Sequence, residues 1–142
     1  MVTLKKPPAP LGLATPADCA AYNVYNDGCP ARLVLDHLGD KWALLVLDRL
    51  RHGPTRFNTI RRDISGISQK VLSQVLKRLE RDGMISRTAY PTVPVTVEYA
   101  LTDLGETLKE RVSPLLHWAE EHMPAIRDAQ SAYDGRLAGT AT

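Results

Sequence analysis

Ser68-Gln69-Lys70-Val71-Leu72-Ser73-Gln74-Val75-Leu76-Lys77-Arg78-Leu79-Glu80-Arg81-Asp82 carries more structural information than any other stretch of the chain. Ser68 is a good N-cap and Gly83 a good C-terminal stop, so the spacing predicts a helix over 68–82. Placed at helical intervals, Val71, Leu72, Val75, Leu76 and Leu79 occupy an arc of roughly 140°. Lys70, Gln74, Lys77 and Arg81 gather within about 60° on the opposite side, with Ser73 at their shoulder. One face is core and the other is basic and amide-bearing. Its two acids, Glu80 and Asp82, lie at the C-terminal end.

A face of this kind has a specific use. A DNA major groove admits an α-helix, Gln can pair bidentately with adenine, Lys can reach guanine, and Ser can serve either base. The electropositive helix N-terminus can in addition accept a phosphate. Ser68, Gln69, Lys70, Ser73, Gln74 and Lys77 are therefore candidate DNA contacts, while Arg78 and Arg81 reach toward the phosphate backbone or support the fold. The bland alternative is the solvated face of an ordinary amphipathic helix, and the flanking sequence has to choose between the two.

Upstream, Phe57 to Asp63 forms a short helix, and Ser65-Gly66-Ile67 a turn into the long one. Before them, Asp40 caps an apolar helix from Lys41 to Arg51 that Gly53-Pro54 ends. A first helix runs from about Pro30 to Leu38, with Leu33, Val34 and Leu38 as its expected buried stripe and Gly39 as its stop. Downstream, Met84 to Tyr90 and Val95 to Leu101 read as two strands bridged by Pro91-Thr92-Val93-Pro94. Thr102 then caps a helix from Asp103 to about Met123, in which Pro114 predicts a kink near 110–113. The fold class is mainly α with a small β-hairpin wing, a winged helix-turn-helix. The expected division is an N-terminal arm over 1–27, a DNA-binding domain with its dimerisation helix over 28–123, and a C-terminal tail over 124–142 that frays after one further turn. Arg87 and Thr92, in or beside the wing, and Arg56, at the mouth of the short helix, join the candidate phosphate and minor-groove contacts.

Composition agrees. The 142 residues carry a formal charge of only +2, but the charge is unevenly placed. From Lys41 to Tyr90 eleven Lys and Arg face four acids, a block of +7, and the remaining residues sum to −5. A basic middle between acidic flanks points to a polyanionic partner. No apolar run of about 18 residues is present, and prolines interrupt the N-terminus where a signal peptide needs an unbroken apolar core. The expected location is cytoplasmic, with no membrane partner. Two cysteines, Cys19 and Cys29, are too few for a disulfide scaffold. His37, His52, His117 and His122 have no zinc-site spacing, no phosphate-binding glycine loop or nucleophile elbow is present, and neither cofactor nor metal is expected.

Cys29-Pro30, Leu38-Gly39-Asp40-Lys41-Trp42, Gly53-Pro54-Thr55-Arg56-Phe57, Ile67-Ser68-Gln69-Lys70-Val71-Leu72, Leu79-Glu80-Arg81-Asp82-Gly83 and Val97-Glu98-Tyr99-Ala100-Leu101-Thr102 follow one another in order. This series resembles the HxlR-type branch of the MarR-like winged-helix transcription regulators over about Cys29 to Met123. The resemblance implies a homodimeric transcription factor, more often repressor than activator, that binds a pseudo-palindromic operator in double-stranded DNA. The chain departs from the family pattern at Val95-Thr96, where relatives often carry Pro and a basic residue. The competing reading is a winged-helix adaptor that binds protein and has no sequence-specific hold on DNA.

Dimerisation has its own physical argument. On the last helix Leu104, Leu108, Val112, Leu115, Ala119 and Met123 share a broad apolar arc, more than a small winged helix needs for its own core. The surplus fits a homodimer through the N- and C-terminal helices, which sets two recognition helices about 34 Å apart. The effector has two candidates. By resemblance, Cys29 is a redox-sensing position, and its place beside a helix N-terminus favours the thiolate. Cys19 is the other cysteine available for pairing. The alternative is an aromatic or quinone-like ligand near Trp42 and Trp118.

Overall fold

The computed structural model describes residues 22–140. Its elements follow the order α1 (Arg32–Leu38), α2 (Lys41–Arg49), a 3-10 turn (Leu50–His52), β1 (Thr55–Arg56), α3 (Phe57–Asp63), α4 (Gln69–Arg81), β2 (Ile85–Tyr90), β3 (Thr96–Leu101) and α5 (Asp103–Thr140). The architecture is a winged helix-turn-helix, mainly helical with a small wing.

The caps explain the boundaries. Asp40 accepts a hydrogen bond from the Trp42 amide at 2.9 Å and starts α2, and Ser68 Oγ accepts one from the Val71 amide at 3.1 Å and starts α4. At the other end of α4, the Gly83 amide donates to the Glu80 carbonyl and the Met84 amide to the Leu79 carbonyl. This is the paired closure of a helix whose C′ residue is left-handed, and Gly83 supplies it with φ 77°. The turn between α3 and α4 likewise rests on Gly66 at φ 88°.

The core lies where α2, α3, α4 and the wing's base converge. Ala43, Val46 and Leu47 of α2, Ile60 of α3 and Leu72, Leu76 and Leu79 of α4 are all buried to 1% exposure or less. The sheet has the order β1-β3-β2. In the wing, β2 and β3 pair antiparallel from Ile85↔Leu101 to Tyr90↔Thr96. The two-residue strand β1 adds Thr55↔Tyr99 and Arg56↔Glu98 on the other edge of β3, a pairing the sequence analysis did not anticipate.

Three expectations need correction. The first helix does not bury the stripe Leu33, Val34 and Leu38: Leu33, Leu35 and Leu38 are exposed and Val34 is half-buried. The buried residue is His37, at 1% exposure. Its Nε2 lies 2.5 Å from Asp82 Oδ2, so α1 turns its polar residue inward to meet the end of α4. The last helix does not end near Met123. It continues to Thr140 with Pro114 and Pro124 inside it, 38 residues in all and roughly 57 Å long. The segment beyond Pro124 expected to fray is thus helical as far as Thr140.

The start of α5 is fastened tightly. Thr102 Oγ1 donates to the Gly83 carbonyl at 2.5 Å and accepts from the Gly105 amide at 3.0 Å. Ser113 Oγ donates to Asp48 Oδ1 at 2.6 Å and ties α5 to α2.

On the surface, Arg49 Nε donates to Asp63 Oδ2 at 2.7 Å. This bond, with the charges of Arg49 and Arg62, holds the Asp63 carboxyl below its ordinary value. Because the folded-state value is the lower one, the pair's stabilisation is present at neutral pH. It is lost as pH falls through the depressed titration. Arg49→Met is expected to return the Asp63 midpoint toward the normal aspartate range in a carboxyl-carbon NMR titration. An unmoved midpoint would show that Arg49 is not the cause.

Candidate nucleic-acid interface

Helix α4 is amphipathic in the predicted sense. Leu72, Val75, Leu76 and Leu79 are buried, whereas Gln69, Lys70, Gln74, Lys77 and Arg81 are exposed and Ser73 is half-buried. Ser68 is exposed too, although its hydroxyl serves the Val71 amide. The N-terminal amides of α4 and the side chains of its first two turns therefore share one open surface. No acidic side chain lies in the first turn.

The wing closes one flank of this surface. A cleft between α4 and the hairpin is lined by Ser73, Lys77, Glu80, Arg87 and Tyr99. Arg87 pairs with Tyr99 across the hairpin, which sets its guanidinium at the wing's base beside Lys77. The two cations share the cleft with Glu80, so part of their charge is offset there. Thr92 sits in the wing loop, where its hydroxyl donates to the Pro94 carbonyl at 2.9 Å and lies 3.1 Å from Thr96 Oγ1. That hydroxyl shapes the loop. Arg56, exposed at the entry to α3, stands opposite Glu98 in the β1·β3 register.

Arg78 behaves differently from its neighbours. Its guanidinium pairs with Asp40, the cap of α2, so it braces α4 against the preceding helix. Arg61, exposed on α3 in front of α4, is a cation the sequence reading did not single out. The net basic charge of that block was the signal that could have drawn attention to it.

The expected dimer residues fall into two groups. Leu104, Leu115 and Met123 are exposed at 47%, 48% and 39%, and Ala119 is exposed as well. Val112, at 1%, is spent on the protomer's own core, against which half-buried Leu108 also packs. Cys29 is a buried free thiol, and Cys19 lies outside the described residues. Trp42 packs against the core with the Lys41 ammonium 4.7 Å from its ring centre. Trp118 is half exposed and stacks on His122 at 4.6 Å. Among the described residues no group of His, Cys, Asp and Glu is arranged to hold a metal ion, and no helix is long and apolar enough to cross a membrane.

Comparison with known proteins places this geometry. Residues 37–127 match the family model described as HxlR-like helix-turn-helix. The chain belongs to this family. It is 46% identical over 113 residues to the uncharacterized HTH-type transcriptional regulator YtfH of Escherichia coli strain K12, covering 78% of this chain and 90% of that protein. The solved structure of the YtfH protein from Salmonella typhimurium superposes with a TM-score of 0.73 at 41% identity, over 78% of this chain and 98% of that one. The redox regulator HypR in its oxidized form superposes with a TM-score of 0.61 at 39% identity, over 66% and 96%. The chain is thus an HTH-type, DNA-binding transcriptional regulator of a family that does not act by catalysis. Its relatives include a redox regulator.

Proposed function

We propose that this HxlR-family chain is a homodimeric regulator, of the repressor kind, that reads a pseudo-palindromic operator through α4. The observation carrying this is the open surface formed by Gln69, Lys70, Gln74 and Lys77 beside Arg87, with no acid in the first turn of the helix. Gln74 addresses base edges, and Gln69, Lys70, Lys77 and Arg81 fix the register on phosphates. Ser68 and Ser73 take supporting contacts at the helix start, while Arg56, Arg87 and Arg61 reach flanking backbone. Exposed Leu33, Leu35 and Leu38 on α1 and Leu104, Leu115 and Met123 on α5 supply the apolar area for the second protomer.

The division between base and phosphate contacts is testable. Gln74→Ala is expected to cost about 1–3 kcal/mol on the operator at particular base pairs and much less on other sequences. Arg81→Ala is expected to weaken every duplex alike. Equal losses on all sequences for Gln74→Ala would remove it from base readout.

The proposed switch is oxidation of Cys29. It lies one turn before α1 and is 7% exposed, so attack by an oxidant requires a local opening of the 22–31 segment. Two thiols, Cys29 and a cysteine of the other protomer, would lose two protons and two electrons to the oxidant and form one S–S bond.

Fluorescence anisotropy tests the whole reading. The duplex upstream of the chain's own gene is compared with a scrambled duplex at physiological salt, each with reduced and with diamide-treated protein. Selective binding abolished by diamide supports regulator and switch together. Selective binding indifferent to diamide retains the regulator and moves the search to a small ligand at the dimer cleft. Equal, weak binding to both duplexes across a genomic site search would leave the protein-binding adaptor.

A further inference from the structure

The far end of α5 carries a pattern that DNA reading does not use. From Ala119 and Met123 a spacing of four and three residues continues through Ile126 and Gln130 to Tyr133 and Leu137. That is a 3.5-residue repeat, the seam of a coiled coil, with a single amide at one inward position. Run backward, the same spacing reaches Leu116 and Val112, which pack on the protomer's own core. Beyond Met123 no other described element packs on Tyr133. Tyr133 and Leu137 are 56% and 52% exposed. A groove along this face is lined by Ile126, Ala129, Gln130, Tyr133 and Asp134. The family match ends at residue 127, so most of this seam lies outside it.

We propose that residues 126–137 pair antiparallel with the same segment of a second copy, in a contact separate from the operator-reading dimer. Charge and burial select the register. With the two-fold near Ser131 and Ala132, Ile126 faces the partner's Leu137 and Gln130 faces the partner's Tyr133. Arg127 then lies across from the partner's Asp134, and each contact occurs twice. Sliding by half a heptad sets Arg127 against its own copy and Glu120 against the partner's Asp134, two like-charge encounters. Sliding one half-heptad further requires Leu137 to sit on the partner's Val112, which is 1% exposed and cannot receive it. Gln130 against a phenol favours the first register, because a lone polar layer is best satisfied by another polar group.

The length of α5 determines what this contact joins. The two-fold lies 28 residues beyond Asp103, roughly 42 Å along the helix. The two DNA-reading heads therefore stand at opposite ends of the paired tails, much farther apart than the ~34 Å between half-sites on one face of DNA. The contact links two operator-reading dimers into a tetramer able to hold two operators. It rests on the proposed dimer for its stoichiometry and on the seam alone for its existence.

Sedimentation velocity across a concentration series of the full chain tests it, with Tyr133→Asp, Arg127→Asp, Asp134→Arg and the Arg127→Asp/Asp134→Arg double variant run in parallel. All three positions are solvent-exposed. The wild type is expected to show reversible association beyond the dimer, and Tyr133→Asp to stop one step short. Each single reversal is expected to weaken the association about tenfold, and the double variant to restore it. A wild type no larger than Tyr133→Asp at every concentration overturns the proposal, as does a double variant no better than the singles. Anisotropy on a duplex holding one operator is expected to be the same for all five proteins. Loss of operator binding in all of them would count against the DNA reading, while the sedimentation series would still judge the pairing.

Discussion

Gly105→Ala is expected to destabilise the fold by about 3 kcal/mol, lowering the thermal midpoint by roughly 10 °C. A Cβ built on Gly105 lies 1.8 Å from the Met84 carbonyl oxygen and 2.9 Å from its carbonyl carbon. No rotamer change relieves this, because the obstacle is backbone. That backbone is itself held, since the Met84 carbonyl accepts from the Thr102 amide and the Met84 amide closes α4. To make room, α5 must lift from the entry to β2, loosening the Thr102 clasp on Gly83. Thermal unfolding followed by circular dichroism measures the effect. A shift under about 2 °C would mean that α5 can rise at this point without cost to its neighbours.

The second large effect is on binding. Lys70→Ala/Lys77→Ala is expected to reduce affinity for both operator and scrambled duplex by roughly 10- to 100-fold at physiological salt. The slope of log affinity against log salt should become shallower by about 2. Both ammonium groups are exposed, and Lys77 lies in the cleft with Arg87 and Glu80. The acid supplies a control of opposite sign: Glu80→Gln removes a negative charge from the same cleft and should strengthen binding to every sequence by about threefold. If the double lysine variant leaves the salt slope unchanged, α4 does not lie on phosphates.

Local signals in the sequence were enough to place most of the fold. Asp40, Ser68 and Gly83 are recognisable as caps because a cap bonds within a few residues of itself. The faces of α4 followed from 3.6-residue spacing, and the wing from β-branched residues around the Pro91–Pro94 turn. What escaped depends on partners distant along the chain. Thr55 and Arg56 are too few to announce a strand and become one only because Tyr99 and Glu98 lie beside them. His37 looked unremarkable among apolar neighbours, since Asp82, which draws it inward, is 45 residues away. The length of α5 was missed for a different reason. Pro124 usually signals an end, yet Ile126, Tyr133 and Leu137 continue the apolar spacing past it. The basic face of α4 was legible as a set of residues. The cleft that joins Lys77 to Arg87 was not, because it depends on how the wing folds back toward the helix.

Two side-chain ties join the α1–α2 corner to the C-terminal end of α4: His37 to Asp82 and Asp40 to Arg78. Asp82 and Arg78 stand four residues apart, one turn above the other on the same side of the helix end. One bond would act as a pivot, whereas two act as a bracket. Any tilt of α1, which begins three residues after Cys29, is therefore geared to α4. On the proposed reading, a displacement at the protein's apolar edge emerges as a change in the angle at which α4 meets DNA.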